Sequence, residues 1–164
     1  MNVMHLSHRR KNEYTTFDIV RLFDIKRNRL QPWLDAGFIV PSIQKSTRKG
    51  TKNLFSKNDL YRIRLFTLLL DAGMTRKEAA IQSLIRFNKE KGKKGTHSYR
   101  IYKVNKALIS GMAGGGSDFE RGEGYYSDKA PTVTLQRSDL FAIVINIQAV
   151  KDDVDAILAE KEMG

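Results

Sequence analysis

Apolar positions recur at helical spacing in four stretches of the first half of the chain, and alternate or run together in the second half. In "YTTFDIVRLFD", Ile19, Val20, Leu22 and Phe23 follow a Thr15 that can cap a helix, with Asp18 three positions on as a carboxylate form of the capping box. A second short helix is predicted from Lys26 to Ala36, with Gly37 placed to end it in the left-handed conformation. Phe38, Ile39 and Val40 read as extended, and Pro41 keeps helix from resuming. Ile43-Gln44 and Asn53-Leu54-Phe55 then flank a polar, basic tip containing Gly50, the pattern of a β-hairpin with a long loop. Ser56, with Asp59 three on, opens a third helix carrying Leu60, Ile63, Leu65, Phe66 and Leu68–Leu70 before Gly73. Thr75 and Glu78 form a capping box for a fourth, expected to bury Ala80, Ile81, Leu84 and Ile85.

Beyond this the pattern changes. Residues 89–95, "KEKGKKG", read as a linker, and "SYRIYKV" alternates like a half-buried strand. Residues 111–130 are a glycine-rich loop, "TVTLQ" is a second expected strand, and "LFAIVINI" is a buried third. From Gln148 to Lys161 the period becomes helical, with Ile147, Val150, Val154, Ile157 and Leu158 on one face. A single helix over 138–160 is the competing reading. The acidic run Asp152, Asp153 and Asp155 reads as a solvated helix face.

The fold class expected is therefore α+β, mainly α. A basic tail, residues 1–13, precedes a helix-rich domain over 14–88. A small α/β module over 96–164 follows the linker and ends in a helix.

Charge sharpens this picture. The chain carries a net charge of +11, split as +13 over residues 1–94 and −2 over residues 95–164. Concentration of cations in one half favours a polyanionic partner over a uniformly solvated surface. No predicted helix sets a basic face against a Trp/Phe/Leu face, which argues against a lipid surface. The apolar runs are too short to span a membrane and the amino-terminal residues do not resemble a signal peptide, so a cytoplasmic address is expected. Without cysteine there are no disulfides and no thiolate metal sites.

Catalysis finds little support. His5, His8 and His97 are the only histidines, and no carboxylate cluster accompanies the first two. "GMAGGGS" lacks the Gly-Lys-Ser/Thr ending of a phosphate loop. No cofactor is expected. Single-stranded RNA binding would need an aromatic platform, for which Tyr99 and Tyr102 are the nearest residues.

The order helix, turn, short helix, basic hairpin, helix, helix resembles the winged helix-turn-helix domain of the MerR family of bacterial transcriptional regulators. The likeness is carried by Tyr14-Thr15, Asp18, Leu22, Ile25 and Leu30, then Gly37-Phe38 and Pro41. "LFSKNDL" before the third helix and "DAGMT" before the fourth complete it. Two departures stand out. Pro32 and Trp33 occupy the place of a tyrosine pair usual in the family, with Gln31 where an Arg usually precedes it, and no long coiled-coil helix follows the fourth. Proline inside a helix removes one donor and clashes with the preceding turn, so a kink or a later helix start is expected.

The resemblance implies a homodimer on palindromic double-stranded DNA, with the second helix in the major groove and the hairpin as a wing on the backbone. RNA polymerase and an effector of unknown identity are further partners of such regulators. Arg27, Asn28, Arg29 and Gln31 would then meet bases and backbone, and Lys26 a phosphate. Lys45, Arg48, Lys49 and Lys52 would form the wing contact, with Tyr14 and Thr15 adding a phosphate contact. Helix 148–161 could serve as the dimer surface or pack on its own sheet. The rival reading is an architectural or excision-type protein that binds duplex DNA with little sequence preference.

Overall fold

The computed structural model of the chain describes residues 12–84, 97–105, 123–127, 129, 133, 135 and 139–162. Two compact units meet in sequence at Leu60 and Tyr61, inside a helix; the expected linker over 89–95 lies outside the described residues.

The first unit opens with strand β1, Tyr14–Thr15, which runs straight into helix α1, Thr16–Phe23. Thr15 caps α1: its Oγ1 accepts from Asp18 N–H at 3.4 Å, and Asp18 Oδ2 accepts from Thr15 N–H at 2.7 Å. Asp24 ends α1 in the left-handed region at φ 50°. Helix α2, Arg27–Asp35, buries Leu30, Trp33 and Leu34. It closes in a Schellman motif: Phe38 N–H donates to Trp33 C=O at 2.9 Å and Gly37 N–H to Leu34 C=O at 3.1 Å. Gly37 sits at φ +72°, where a side chain would be strained. Phe38 and Ile39 are therefore folded back onto the end of α2, not extended as expected.

Pro32 lies within α2. The helix starts at Arg27, close to the Lys26 expected from the pattern, with Leu30 N–H bonding Lys26 C=O at 3.2 Å. What the proline removes is the amide that would reach the Asn28 carbonyl, and Asn28 is exposed, so water can serve that oxygen.

The hairpin reduces to one bridge, Gln44 to Leu54. Its second arm, strand β2 at Leu54–Phe55, pairs antiparallel with β1, Tyr14 opposite Phe55 and Thr15 opposite Leu54. The wing is thus joined to the start of α1 by backbone hydrogen bonds. Both of its ends are also held by one carboxylate. Asp59, only 2% exposed, accepts through Oδ2 from Ser42 N–H at 3.0 Å, from Ser42 Oγ, and from Ser56 N–H at 2.9 Å. Ser56 Oγ accepts in turn from Asp59 N–H at 3.2 Å, which completes the capping box of helix α3, Lys57–Asp71.

In the second unit α3 ends in another Schellman motif, with Gly73 at φ +96° and Met74 N–H donating to Leu69 C=O at 3.0 Å. Helix α4, Arg76–Ser83, begins with the expected Thr75/Glu78 capping box. Its burial departs from the sequence reading. Ile81 is 57% exposed and Leu84 66%, while Glu78, Ala79 and Ser83 are buried. The expectation placed the apolar stripe inward by residue type. The inward face runs instead through Ala79 and Ser83, one turn apart, with Glu78 of the capping box beside Ala79.

Strands β3, His97–Asn105, β4, Glu123–Ser127, and β5, Asp139–Asn146, form an antiparallel sheet in the order β4-β3-β5. The middle expected strand is corrected. Glu123–Ser127, inside the expected loop 111–130, pairs with β3, whereas Val133 and Leu135 of "TVTLQ" are not in a strand. Helix α5, Ile147–Glu162, packs on β3 and buries Ile147, Val150 and Val154. Asn146 Oδ1 accepts from Ala149 N–H at 3.1 Å at the strand-to-helix switch, so strand plus helix replaces the single-helix alternative. The acidic face of α5 is not simply solvated: Asp155 accepts from Tyr61 Oη at 2.8 Å and Asp153 pairs with Arg64 at 2.7 Å, tying α5 to α3.

Two stability predictions follow from the first unit. Asp59→Ala strands several donors at once and lowers the unfolding free energy by about 2–3 kcal/mol in chemical denaturation. A loss within about 0.5 kcal/mol would mean that the wing is anchored elsewhere. Pro32→Ala restores an amide to an otherwise intact helix and raises stability by about 1–3 kcal/mol in the same assay.

Candidate nucleic-acid interface

One groove of about 810 Å³ lies within the first unit. Its walls are the start of α1 (Thr15, Thr16, Phe17), one side of α2 (Arg27, Gln31, Asp35) and the wing (Lys45, Ser46, Thr51, Lys52, Asn53), over a floor that includes Val20, Leu34 and Pro41. Of the residues expected to contact DNA, it brings together Thr15, Arg27, Gln31, Lys45 and Lys52. Tyr14, Lys26, Asn28, Arg29, Arg48 and Lys49 are not among its lining residues.

The α2 side chains divide by helical position. Leu30, Trp33 and Leu34 face inward, which leaves Arg27, Asn28, Gln31, Pro32 and Asp35 on the outer surface. Asn28 and Pro32, one turn apart, lie near the centre of that surface, and Arg27, Gln31 and Asp35 form a row beside them along the groove. On the far side the Arg29 guanidinium lies 5.5 Å from the centre of the Trp33 ring, a cation–π contact, while Trp33 itself is 3% exposed. Trp33 therefore serves the core and steadies one of the expected reading residues.

The wing tip is held by hydrogen bonds, not left as a loose charged loop. Thr51 Oγ1 accepts from Thr47 N–H at 3.1 Å and Arg48 N–H at 3.2 Å and donates to Arg48 C=O at 2.7 Å. Thr51 N–H also donates to Arg48 C=O at 3.1 Å, closing a turn with Gly50 at φ +91°. Ser46 N–H donates to Asn53 Oδ1 at 2.7 Å and ties the two arms below the tip. Arg48 and Lys49 are therefore displayed on a fixed turn. Ser46, Thr51 and Asn53 were not singled out from the sequence, although Ser/Thr/Asn around a Gly is the pattern of a side-chain-braced turn.

Electrostatically the unit is one-sided. Among the described residues Lys26, Arg27, Lys45, Arg48, Lys49 and Lys52 have no ion-pair partner, and all are exposed. The amino-terminal end of α1 adds the positive pole of its backbone dipoles at the groove's edge. No His/Asp/Glu group of metal-binding kind occurs among the described residues, and no helix among them is long and apolar enough to cross a membrane.

Comparison with known families and proteins bears on the same residues. The model of the MerR helix-turn-helix family of regulatory proteins matches residues 14–81, from β1 through α4. No curated protein matches the chain. Helix, turn, helix and braced wing all fall within this span: residues 14–81, somewhat under half of the chain, are similar to the MerR helix-turn-helix family of regulatory proteins.

Proposed function

We propose that the chain is a sequence-specific regulator that places α2 in the major groove of double-stranded DNA and lays its wing along the backbone. The observation that carries this is the coincidence, in one groove and its margins, of six uncompensated cations, the start of α1 and the exposed face of α2. A polyanion that fits such a concavity gains from counterion release, and a helix displaying Asn and Arg at its amino-terminal end can distinguish base pairs. Asn28 meets a base edge, Arg27 and Arg29 a base or its phosphate, and Lys26, Lys45, Arg48, Lys49 and Lys52 meet phosphates. Tyr14 and Thr15 contact the backbone beside the start of α1. Pro32 offers the groove an apolar ring in place of a hydroxyl.

The protein acts as a homodimer on a palindromic site in the cytoplasm. One short helix reads too few base pairs for a unique site, and two-fold symmetry doubles them. Helix α5 spends its inner face on its own sheet, so Ile81 and Leu84 of the α4 end are the exposed apolar residues favoured for contact between copies.

Selection from a randomised duplex pool tests the reading. A palindrome should emerge, and Asn28→Ala should relax one base position in each half-site at a loss of about 1–3 kcal/mol. Lys49→Ala should weaken all sequences alike and reduce the slope of log K against log salt by about 1. Steep salt dependence without an enriched motif would replace the regulator with an architectural DNA-binding protein. In sedimentation the wild-type chain should run as a dimer, and the double variant Ile81→Glu/Leu84→Glu as a monomer with an unchanged circular dichroism spectrum.

A further inference from the structure

The outer face of α2 holds one anion among its cations. Asp35 ends the helix and lines the same groove as Arg27, Lys45 and Lys52. A Gln–Asp pair one turn apart adds a little helix stability, as Gln148 and Asp152 do in α5, but Asp35 is set in a groove otherwise lined by cations. A carboxylate at a helix carboxyl end opposes the backbone dipole, and a polyanion in the groove would be repelled by it. Gln31 Nε2 donates to Asp35 Oδ1 at 2.8 Å across one turn. An ionised carboxylate has no donor, so the nitrogen of the Gln31 amide must be the atom turned toward Asp35. That biases the amide orientation and leaves the carbonyl oxygen and the second N–H free to act as an acceptor–donor pair. Adenine presents the complementary donor and acceptor in the major groove, at N6 and N7.

We propose that Asp35 is a positioning residue for base reading by Gln31 and, through its charge, a selective penalty on unmatched DNA. The proposal rests on α2 being the recognition helix. The carboxylate weakens binding to every duplex, because each brings phosphates past it. Only a duplex with adenine opposite Gln31 recovers the loss through the oriented amide. Discrimination thus comes from an unfavourable contact as well as a favourable one.

The two roles give Asp35→Ala opposite effects on two substrates. Binding to random duplex becomes tighter, since the like charge is gone. Binding to the selected site becomes weaker relative to its single-base variants, with preference at one base pair per half-site falling about tenfold. Gln31→Ala should lose preference at that same base pair without tightening random-duplex binding. Asp35→Asn, neutral but still able to accept the Gln31 hydrogen bond, should tighten random-duplex binding and keep most of the preference.

The experiment is selection and competition binding on the full chain for wild type and the three variants. Thermal melts accompany it, because a pair serving only to stabilise α2 would move the melting temperature and leave base preference intact. If the wild type selects a motif and Asp35→Ala keeps the full preference, or relaxes a different position from Gln31→Ala, the proposal is overturned while the recognition-helix reading stands. Tightening on random duplex together with loss at the shared position supports it. If the wild type selects no motif, both the reading and the proposal fall.

Discussion

A single buried carboxylate sets the geometry on which the basic groove of the first unit depends. Asp59 receives donors from Ser42, where the wing departs, and from Ser56, where it returns, while sitting in the first turn of α3. Its Oδ2 collects converging donors, as in a well-formed cap, but here two of them belong to a residue seventeen positions away. The result is that a wing of polar and basic residues, with no apolar core of its own, leaves and rejoins the body at fixed points. Strand pairing between β2 and β1 adds the second constraint, linking the wing's return arm to the cap of α1.

From these constraints the groove follows. Thr15 is at once a strand residue opposite Leu54 and the cap of α1, so the positive end of that helix is held next to the base of the wing. Helix α2 presents the remaining wall because Leu30, Trp33 and Leu34 commit its other face to the core. Among the described residues Lys26, Arg27, Lys45, Arg48, Lys49 and Lys52 have no ion-pair partner, and the local field is available to an outside anion. Pro32 is compatible with this arrangement because the carbonyl it deprives of an amide belongs to an exposed residue.

Much of this was legible in the residues themselves, and the divide is physical. Caps and helix ends are local: Thr15 with Asp18, Ser56 with Asp59, Thr75 with Glu78, and Gly37 and Gly73 act within a few positions, so their pattern is their mechanism. Contacts set by tertiary packing were not legible. The bond from Ser42 to Asp59 leaves no local signature, and Asp153 and Asp155 read as solvated until Arg64 and Tyr61 are brought to them. Glu123–Ser127 was hidden by flanking glycines, and its pairing with β3 overrides their low strand preference. Ile81 and Leu84 were assigned inward by composition, but the orientation of α4 decides otherwise. Within the groove the cations were evident from charge clustering. Thr51's bracing of the wing tip and the Gln31–Asp35 pair depend on side-chain orientations that the folded chain sets.

The most direct measurement is amide hydrogen exchange of the full chain, free and saturated with duplex DNA at moderate salt. The account predicts concerted protection in three separate stretches: the start of α1 around Thr15 and Thr16, the amino-terminal half of α2 from Lys26 to Gln31, and the wing from Lys45 to Lys52. Strand β3 and helix α5 should change little. Protection centred on β3, or none in the α2 and wing stretches under conditions where DNA is bound, would contradict the claim that this groove is the DNA-binding surface.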